Sequence, residues 1–255
     1  MVIIRETGRW SPGQVIATEV ASTRAIVGEV ELAIDRAWAV ASARLGSKLF
    51  DGPMLRLERC GASDDALRLW VSPTSYKPFL GTNLENPDVA ERARANPIGL
   101  SAALVTSDGW LMLGRRNASV AYYPNRIHPF AGSLEPAERA NVFEGVMREL
   151  EEELRFTPSD VAELRCIGLI EDARIRQPEL IFSATSKRTR ADVESMMDAG
   201  EHHACVAVAV TPEALEEAMR DALLTPVAVG TLLLWGRIAF GNAWFERQKA
   251  RTVAP

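Results

Sequence analysis

The chain lacks the features that mark several protein classes. Its cysteines are odd in number and widely spaced, with no CxxC pair, so we predict reduced thiols in a cytoplasmic protein. They are Cys60, Cys166 and Cys205. The net charge of −5 argues against nucleic acid as a main partner, because phosphate backbones require basic surfaces. A small anionic substrate stays compatible with this charge, since local charge decides its binding.

Long apolar runs are also missing. The apolar run at the amino terminus is too short for a signal peptide. The longest apolar stretch, residues 223–235, contains Pro226 and Gly230 and falls short of the ~20 residues that a membrane span needs. We therefore predict no membrane partner and a buried carboxy-terminal helix. A phosphate loop, a GxGxxG motif and a GxSxG turn are all absent, so nothing favours a Ser or Cys nucleophile.

What is present suits a folded α/β protein. Apolar residues make up 47% of the chain and charged residues 25%, and 255 residues suffice for one large or two small domains. Asn-Pro pairs punctuate residues 83–97, which predicts a small α+β domain over residues 1–95 and a second domain over 96–255.

Hydrophobic periodicity predicts the elements of both domains. Strands 2–4 and 15–17, a helix over 27–45 and a hairpin of strands 54–59 and 66–72 are predicted in the first domain. Strands 98–106, 110–115, 164–170, 180–185 and 205–210, with helices 140–155 and 212–223, are predicted in the second. A mixed sheet with helices on both sides makes an α/β/α sandwich.

The most informative stretch is Arg-Glu-Leu-Glu-Glu-Glu-Leu at residues 148–154. Glu149, Glu152 and Glu153 stand at helical positions i, i+3 and i+4, so three carboxylates share one helix face. Oxygen ligands in such a cluster suit Mg²⁺, with Mn²⁺ as a second candidate ion. Arg148 lies beside them and could hold one carboxylate as an ion pair. Glutamate runs are also common on solvated helix faces, and that alternative stays open here.

The context of this stretch resembles the box of the Nudix hydrolases, G-x5-E-x7-R-E-U-x-E-E-x-G-U, where U is aliphatic. Gly132 resembles the opening glycine, and Arg148, Glu149, Leu150, Glu152, Glu153 and Phe156 fall on the closing half. Three departures stand out. The stretch from Gly132 to Arg148 is two residues too long, Ala140 replaces the glutamate expected eight residues before the arginine, and Arg155 replaces the late glycine.

A second resemblance narrows the branch. We use the name upstream segment for residues 69–83, which contain Thr-Ser-Tyr-Lys-Pro-Phe-Leu-Gly-Thr-Asn. This segment resembles the LGLTxYRxFxGTN stretch of eukaryotic Nudix proteins that hydrolyse UDP-glucose and UDP-galactose. Leu-Phe-Asp-Gly at residues 49–52 matches a further feature of that branch. The resemblance spans residues 30 to 245 and implies the same α/β/α sandwich.

The resemblance also implies roles for the acidic residues. It implies that Glu149, Glu152 and Glu153 are the metal ligands, with Glu153 the most indispensable. A loop carboxylate completes such sites, and the prediction is Glu201, with Glu171 and Glu179 as rivals. The predicted catalytic set is Glu153, Glu152, Arg148 and Glu201. Glu144 is expected in a surface ion pair, and His202 and His203 in structural or substrate-loop roles.

The predicted substrate contacts come from three places. By resemblance, Tyr76 or Phe79 stacks on uracil, Lys77 faces a phosphate, and Thr82 or Asn83 bonds polar edges; from the residues alone, Tyr76 and Phe79 are core or hinge residues. Arg115 and Arg116 end a strand, where an arginine pair can grip a diphosphate, or where both are simply exposed. The backbone before and at Gly132 is expected to shape a phosphate cradle.

Three functions are compatible with these observations. The first is a Mg²⁺-dependent pyrophosphatase that converts a UDP-sugar into UMP and a sugar 1-phosphate. The second is a Nudix hydrolase of ADP-ribose, a dinucleotide or coenzyme A. The third is a nucleotide-binding module without turnover, which Ala140 and Arg155 favour and the retained carboxylates oppose. The preferred sugar and a homodimeric assembly are left open.

Overall fold

The computed structural model describes residues 1–252. Numbered along the chain, the strands are β1 Val2–Trp10, β2 Val15–Glu19, β3 Pro53–Ala62, β4 Leu67–Ser75, β5 Gly99–Val105, β6 Trp110–Arg116, β7 Ile127–His128, β8 Phe130–Ser133, β9 Val161–Asp172, β10 Gln177–Ser186 and β11 His202–Ala209. The α-helices are α1 Gly28–Leu45, α2 Tyr76–Phe79, α3 Val142–Leu154, α4 Arg190–Met196, α5 Pro212–Ala218, α6 Pro226–Phe240 and α7 Asn242–Thr252.

Two sheets organise the described residues. The larger sheet has the strand order β1-β9-β10-β5-β6-β11, with β7 paired to β6 and β8 paired to β5. It is mixed, because β10 and β5 run parallel while β9 and β10 run antiparallel. The smaller sheet has the order β2-β4-β3 and contains the predicted hairpin, whose strands β3 and β4 are antiparallel.

Helices cover both faces of the larger sheet. Alternate residues of β5 point to opposite faces, as strand geometry requires. Leu100 and Leu104 join a buried cluster with Val146 and Leu150 of α3, whereas Ala103 joins a second cluster with Leu232 of α6. The predicted α/β/α sandwich with a mixed sheet is therefore confirmed, and α6 is the predicted buried carboxy-terminal helix.

The amino-terminal part of the chain contributes to both sheets. Strand β1 pairs antiparallel with β9 at the edge of the larger sheet. Leu55 and Leu69 of the smaller sheet belong to the same buried cluster as Leu150 of α3. The two parts thus share a core, and the division at residues 95 and 96 stays a prediction.

Helix α1 packs closely on the turn that ends the upstream segment. A Cβ atom on Gly81 would lie 2.5 Å from the Cα of Ile34, a distance that only glycine allows. The helix matches the prediction for residues 27–45, although only Ile34 and Ala41 are buried. Strands β7 and β8 and helices α2, α4 and α7 were not predicted. Within residues 1–252, no helix has both the length and the apolar content needed to cross a bilayer.

Candidate active site

Helix α3 carries the candidate site. It begins after Asn141, whose side-chain oxygen accepts a hydrogen bond from the Phe143 amide at 3.2 Å. Its apolar face, which includes Val146 and Leu150, is fully buried in the core. Burial of that face turns the neighbouring carboxylates of α3 toward strand β8 and its flanking loop.

Two of the three predicted glutamates point inward. The Glu149 and Glu153 side chains are 9% and 8% exposed, whereas the Glu152 side chain is 59% exposed. The three carboxylates therefore share a helix surface, but Glu152 lies at its solvent edge. Its carboxylate is 3.3 Å from Arg148 Nη1, as an i,i+4 pair.

The backbone of β8 receives the two buried carboxylates. The Ala131 amide donates a hydrogen bond of 2.9 Å to Glu153 Oε2. A Cβ atom on Gly132 would lie only 1.8 Å from Glu149 Oε1, so a glycine at this position lets the carboxylate lie directly on the backbone. The close approach of the Glu149 carboxylate to the backbone therefore requires a glycine at position 132. The backbone that was predicted to shape a phosphate cradle is in contact with carboxylates in this structure.

Arg148 holds the cluster together. Its Nη1 lies 2.6 Å from Glu149 Oε1, and its Nε donates to Glu138 Oε1 at 2.6 Å. Its Nη2 donates to the Ser133 carbonyl at 3.1 Å. Arg148 therefore ties helix α3 to the segment that follows Gly132, and its contact with Glu149 is the ion pair that the sequence predicted for it.

Glu138 is a site residue that the sequence analysis missed. Counting back from Arg148 places Ala140 at the glutamate position of the box, but counting forward from Gly132 places Glu138 there. The two additional residues therefore lie between Glu138 and Arg148, and the box keeps its glutamate. Glu138 is 8% exposed and accepts the Arg148 hydrogen bond, so the departure inferred at Ala140 is corrected.

Arg155 explains the missing late glycine. It ends α3 in the left-handed region, with φ 56° and ψ 28°. Glycine is the residue that adopts this conformation most readily at a helix end. The arginine keeps the same backbone geometry at a conformational cost, and its side chain lies 3.6 Å from Asp198. The departure at Arg155 thus leaves the course of the helix unchanged.

The buried carboxylates repel one another. Burial raises the pKa of Glu149 to about 7, while the charge of Arg148 acts in the opposite direction. Burial, followed by the charges of Glu201 and Glu149, raises the pKa of Glu153 well above its usual value. Bringing positive charge to the site would relieve this repulsion.

The three candidate downstream acids differ in their surroundings. Glu171 is paired with Arg5 and Arg176, which engages its charge elsewhere. Glu179 is buried and accepts a hydrogen bond from the Ser101 hydroxyl, and burial raises its pKa to about 8. Glu201 is 56% exposed on the loop before β11, and its charge reaches both Glu149 and Glu153. Of the three, Glu201 is the exposed acid beside the buried pair.

His202 and Arg116 close the site from β11 and β6. His202 Nδ1 lies 3.5 Å from Glu153 Oε1, and burial with the charge of Arg116 lowers the pKa of His202 to about 4. A neutral imidazole is therefore expected, and the adjacent His203 is exposed. Arg116 Nη1 lies 3.8 Å from Glu201 Oε2.

The predicted arginine pair is divided between the two faces of β6. Successive strand residues point to opposite faces. Arg116 is 4% exposed and points toward the carboxylates, whereas Arg115 is half-buried on the other face. Of the two arginines, Arg116 is the one that lies beside Glu201.

The polar side chains that end the upstream segment are engaged within the fold. Thr82 and Asn83 are 0% exposed. The Thr82 hydroxyl donates to the Pro78 carbonyl at 2.7 Å, and Asn83 Nδ2 donates to the Ile175 carbonyl at 2.9 Å. These polar groups are used within the fold, so we do not carry either residue into the proposed substrate site.

The other three predicted residues of this segment are also engaged. Lys77 Nζ lies 2.7 Å from Asp35 Oδ1, so its charge faces α1 and not a phosphate. Phe79 is 2% exposed, with its ring 6.2 Å from those of Tyr76 and Tyr122. Phe79 thus belongs to a small buried cluster with Ala95 and Ile175, and Tyr76 packs against that cluster. The ring nearest to Arg116 is that of Tyr122, which the sequence analysis did not single out.

The residues of the site fit a hard divalent cation. Among residues 1–252, no three His, Cys, Asp or Glu side chains converge into a ready metal site. Mg²⁺, however, commonly binds through one or two carboxylates together with substrate phosphates and water. Glu153 Oε1 is buried and has no hydrogen-bond partner among the described residues. This unpaired oxygen and the neighbouring Glu149 carboxylate form a donor set that such an ion would satisfy.

Curated proteins resemble this chain in sequence. The uridine diphosphate glucose pyrophosphatase NUDT22 of Mus musculus is 24% identical, over 74% of this chain and 74% of the mouse protein. Its Homo sapiens counterpart is 33% identical over 34% of this chain and 35% of the human protein. No family model matches the chain. The solved structure of a MutT protein from Methanosarcina mazei Go1 is 20% identical in sequence. The match spans 62% of this chain and 96% of the MutT chain, with a TM-score of 0.38. The curated relatives confirm the predicted relationship to the Nudix hydrolases.

Proposed function

We propose that this chain, a Nudix hydrolase, cleaves the diphosphate of a UDP-glucose-like UDP-sugar to UMP and a sugar 1-phosphate, with Mg²⁺ or Mn²⁺ as the metal. The observation that carries the proposal is the buried pair Glu149 and Glu153 on the backbone of β8, with Glu153 Oε1 left without a partner among the described residues. A buried carboxylate oxygen without a hydrogen-bond partner costs stability, and this supports a ligand-holding role for Glu153.

Glu149 and Glu153 would hold the metal ion, with Glu152 at the solvent edge as a further oxygen donor. A bound divalent ion neutralises charge on the diphosphate oxygens and lowers the pKa of water. The Ala131 amide orients Glu153, and Arg148 orients Glu149. These contacts keep the two carboxylates in position against their mutual repulsion.

Arg116 and Glu201 would act on the substrate and the attacking water. The guanidinium of Arg116 donates to diphosphate oxygens and so adds positive charge beside the carboxylates. The exposed carboxylate of Glu201 accepts the proton of the water that attacks phosphorus. The phosphorus–oxygen anhydride bond then breaks, and the leaving phosphate keeps its electron pair.

The uridine assignment is supported by the curated relatives and by the upstream segment. Retention of Glu138 removes one of the two observations that favoured a binding module without turnover. The free thiols of Cys60, Cys166 and Cys205 support the cytoplasmic location that we propose for the enzyme. A homodimer stays a prediction.

The decisive experiment is product analysis after incubation with UDP-glucose and Mg²⁺. The unaltered protein should release UMP and glucose 1-phosphate. Glu153→Gln keeps the size of the side chain but removes its charge, and should lower kcat/KM about 1000-fold, which corresponds to several kcal/mol of transition-state stabilisation. Glu151→Gln, on the exposed face of the same helix, is the matched control and should retain full activity.

Two results would contradict the proposal. Full activity of Glu153→Gln would remove the metal-holding role, and absence of UDP-glucose cleavage by the unaltered protein would remove the substrate assignment. A parallel panel of ADP-ribose, a dinucleotide and coenzyme A separates the remaining hydrolase activities. Preference for an adenine nucleotide in that panel would overturn the uridine assignment.

A further inference from the structure

A cavity of about 360 Å³ opens next to the candidate site. It lies between residues 121–126 and the turn that joins β9 to β10. The lining includes Tyr122, Tyr123, Arg126, Arg174, Leu84 and Ile175. Aromatic rings beside guanidinium groups form a surface suited to a planar, polar heterocycle. The volume is within the range of small-molecule sites.

The loop that forms one wall is fastened to Arg116. The Arg116 guanidinium lies 4.8 Å from the centroid of the Tyr122 ring, and its Nε donates to the Tyr122 carbonyl at 3.2 Å. The Arg116 amide donates to the Arg126 carbonyl at 2.8 Å. The cavity wall and the arginine assigned to the diphosphate therefore form one connected unit.

The opposite wall is fastened by the upstream segment. Asn83 Nδ2 donates to the Ile175 carbonyl at 2.9 Å and lies 3.3 Å from the Arg176 carbonyl, which anchors the turn. Asp172 accepts hydrogen bonds of 2.8 Å from the Arg174 amide and from the Tyr123 hydroxyl. The backbone of Arg174 is thus fixed while its side chain is exposed, with the guanidinium carbon 5.6 Å from the Tyr123 ring centroid.

The loop also holds a strained conformation. Tyr123 and Asn125 have φ of 53° and 61°, in the left-handed region that costs a tyrosine about 1 kcal/mol or more. Strain of this kind persists where the surrounding structure holds it, and it concentrates at binding sites. In this loop it is maintained by the Tyr123–Asp172 hydrogen bond, which directs the ring along the cavity.

We propose that this cavity binds the uridine end of the substrate, with the Tyr123 ring as a stacking surface and the Arg174 guanidinium as donor to the uracil carbonyl oxygens. Glu85 at the rim accepts hydrogen bonds from ribose hydroxyls. The inference rests on the proposed function and adds its nucleoside subsite. It also gives the upstream segment a role, because Asn83 fixes one wall without touching the nucleotide.

The first test is the kinetics of Arg174→Gln with UDP-glucose. Loss of a charged hydrogen bond should raise KM roughly tenfold to a hundredfold, with kcat within about threefold of the unaltered value. Arg247→Gln, an exposed arginine on α7, is the matched control and should leave KM unchanged. Ala121→Trp is a second variant that fills the rim of the cavity without changing charge, and it should also raise KM.

A binding measurement separates this inference from the proposed function. Calorimetric titration of UMP into the metal-free protein should show binding that weakens at least tenfold in Arg174→Gln and in Ala121→Trp. UMP binding with this dependence supports the cavity even if UDP-glucose is not cleaved, in which case only the proposed activity fails. Unchanged KM and unchanged UMP affinity in both variants would overturn the cavity assignment while leaving the hydrolase intact. Failure of the unaltered protein to bind UMP would also overturn it.

Discussion

On helix α3, Glu153 keeps a buried carboxylate oxygen without a hydrogen-bond partner among the described residues, and its pKa is raised. In the upstream segment, the Asn83 amide is equally buried, yet both of its ends are hydrogen bonded. Both stretches carry a family resemblance in sequence. The difference teaches that the acidic face of α3, the first kind of motif, leaves a buried polar atom unpaired, whereas the upstream segment, the second kind, uses its polar atoms to hold other residues in place.

Neutralising a carboxylate on the acidic face of α3 should abolish activity without lowering the stability of the fold. In Glu149→Gln we expect kcat/KM for UDP-glucose to fall about 1000-fold. Burial raises the pKa of Glu149 from 4.5 to about 7, so ionising this group costs the folded protein stability relative to the unfolded chain, and the cost is complete above about pH 7. The midpoint of thermal unfolding at pH 8 should therefore stay equal or rise. A large fall in the midpoint with activity retained would reverse the assignment of this face.

Truncating Asn83 of the upstream segment should have the opposite effect and lower the stability of the fold. Asn83→Ala removes the side-chain partner of the Asn96 amide and of the Ile175 carbonyl, whereas the Ala95 amide keeps its hydrogen bond to the Thr82 hydroxyl. The free energy of unfolding, measured in urea, should fall by about 2–4 kcal/mol. Asn86→Ala removes one partly buried hydrogen bond, to the Gly81 carbonyl, and should cost about 1 kcal/mol. Equal costs for the two variants would remove the structural role given to Asn83.

How much of the site could be predicted depends on which of its features are local in sequence. The acidic face of α3 was predictable because its members are one helical turn apart, and Gly132 because the box spacing starts there. Counting the box spacing backward from Arg148 alone placed the glutamate position at Ala140. Glu138 was identified through its contact with Arg148. A count from both ends of the box would have identified it.

The features that were missed depend on contacts distant in sequence. Pairing of β1 with β9 joins residues more than 150 positions apart, and no local pattern encodes it. Tyr122 lies in an irregular loop, and its significance comes from Arg116 folding over its ring. Arg115 and Arg116 point to opposite faces of β6 because strand residues alternate. That rule could be applied to both residues only once the ends of β6 were known.

A pH experiment on Glu58 sharpens the comparison, because this acid, unlike Glu153 on α3, has both carboxylate oxygens hydrogen bonded within the fold. Although burial opposes its ionisation, hydrogen bonds from Arg56, Ser72 and Thr23 lower the pKa of Glu58 from 4.5 to about 2. A lowered pKa stabilises the fold above the unfolded value, and this stability is lost as pH falls from 4.5 toward 2. Glu58→Gln should therefore cost about 1–3 kcal/mol at pH 7 in urea unfolding, and the difference should shrink below pH 4.5.

The control for this experiment is Glu217→Gln, whose side chain is 78% exposed in a surface pair. Its unfolding free energy should stay close to that of the unaltered protein at every pH. A Glu58 effect independent of pH would show that the carboxylate acts through packing alone.

The smallest expected effect concerns the end of α3. Arg155→Gly relieves a left-handed arginine and should stabilise the protein by about 0.5–1 kcal/mol, while activity is retained. Arg155→Ala is the matched control, because it removes the exposed pair with Asp198 but keeps the strained backbone, and it should give no gain. Loss of activity in Arg155→Gly would show that the arginine acts at the site itself.

The most direct test of the account is the location of a bound ion. Crystals soaked with Mn²⁺ and a non-hydrolysable UDP-sugar analogue should show an anomalous scattering peak between the carboxylates of Glu149 and Glu153 and the analogue's diphosphate. The same soak of Glu153→Gln should lack that peak. A peak elsewhere, with Glu149 and Glu153 still packed as in the metal-free protein, would contradict the claim that this pair holds the catalytic metal.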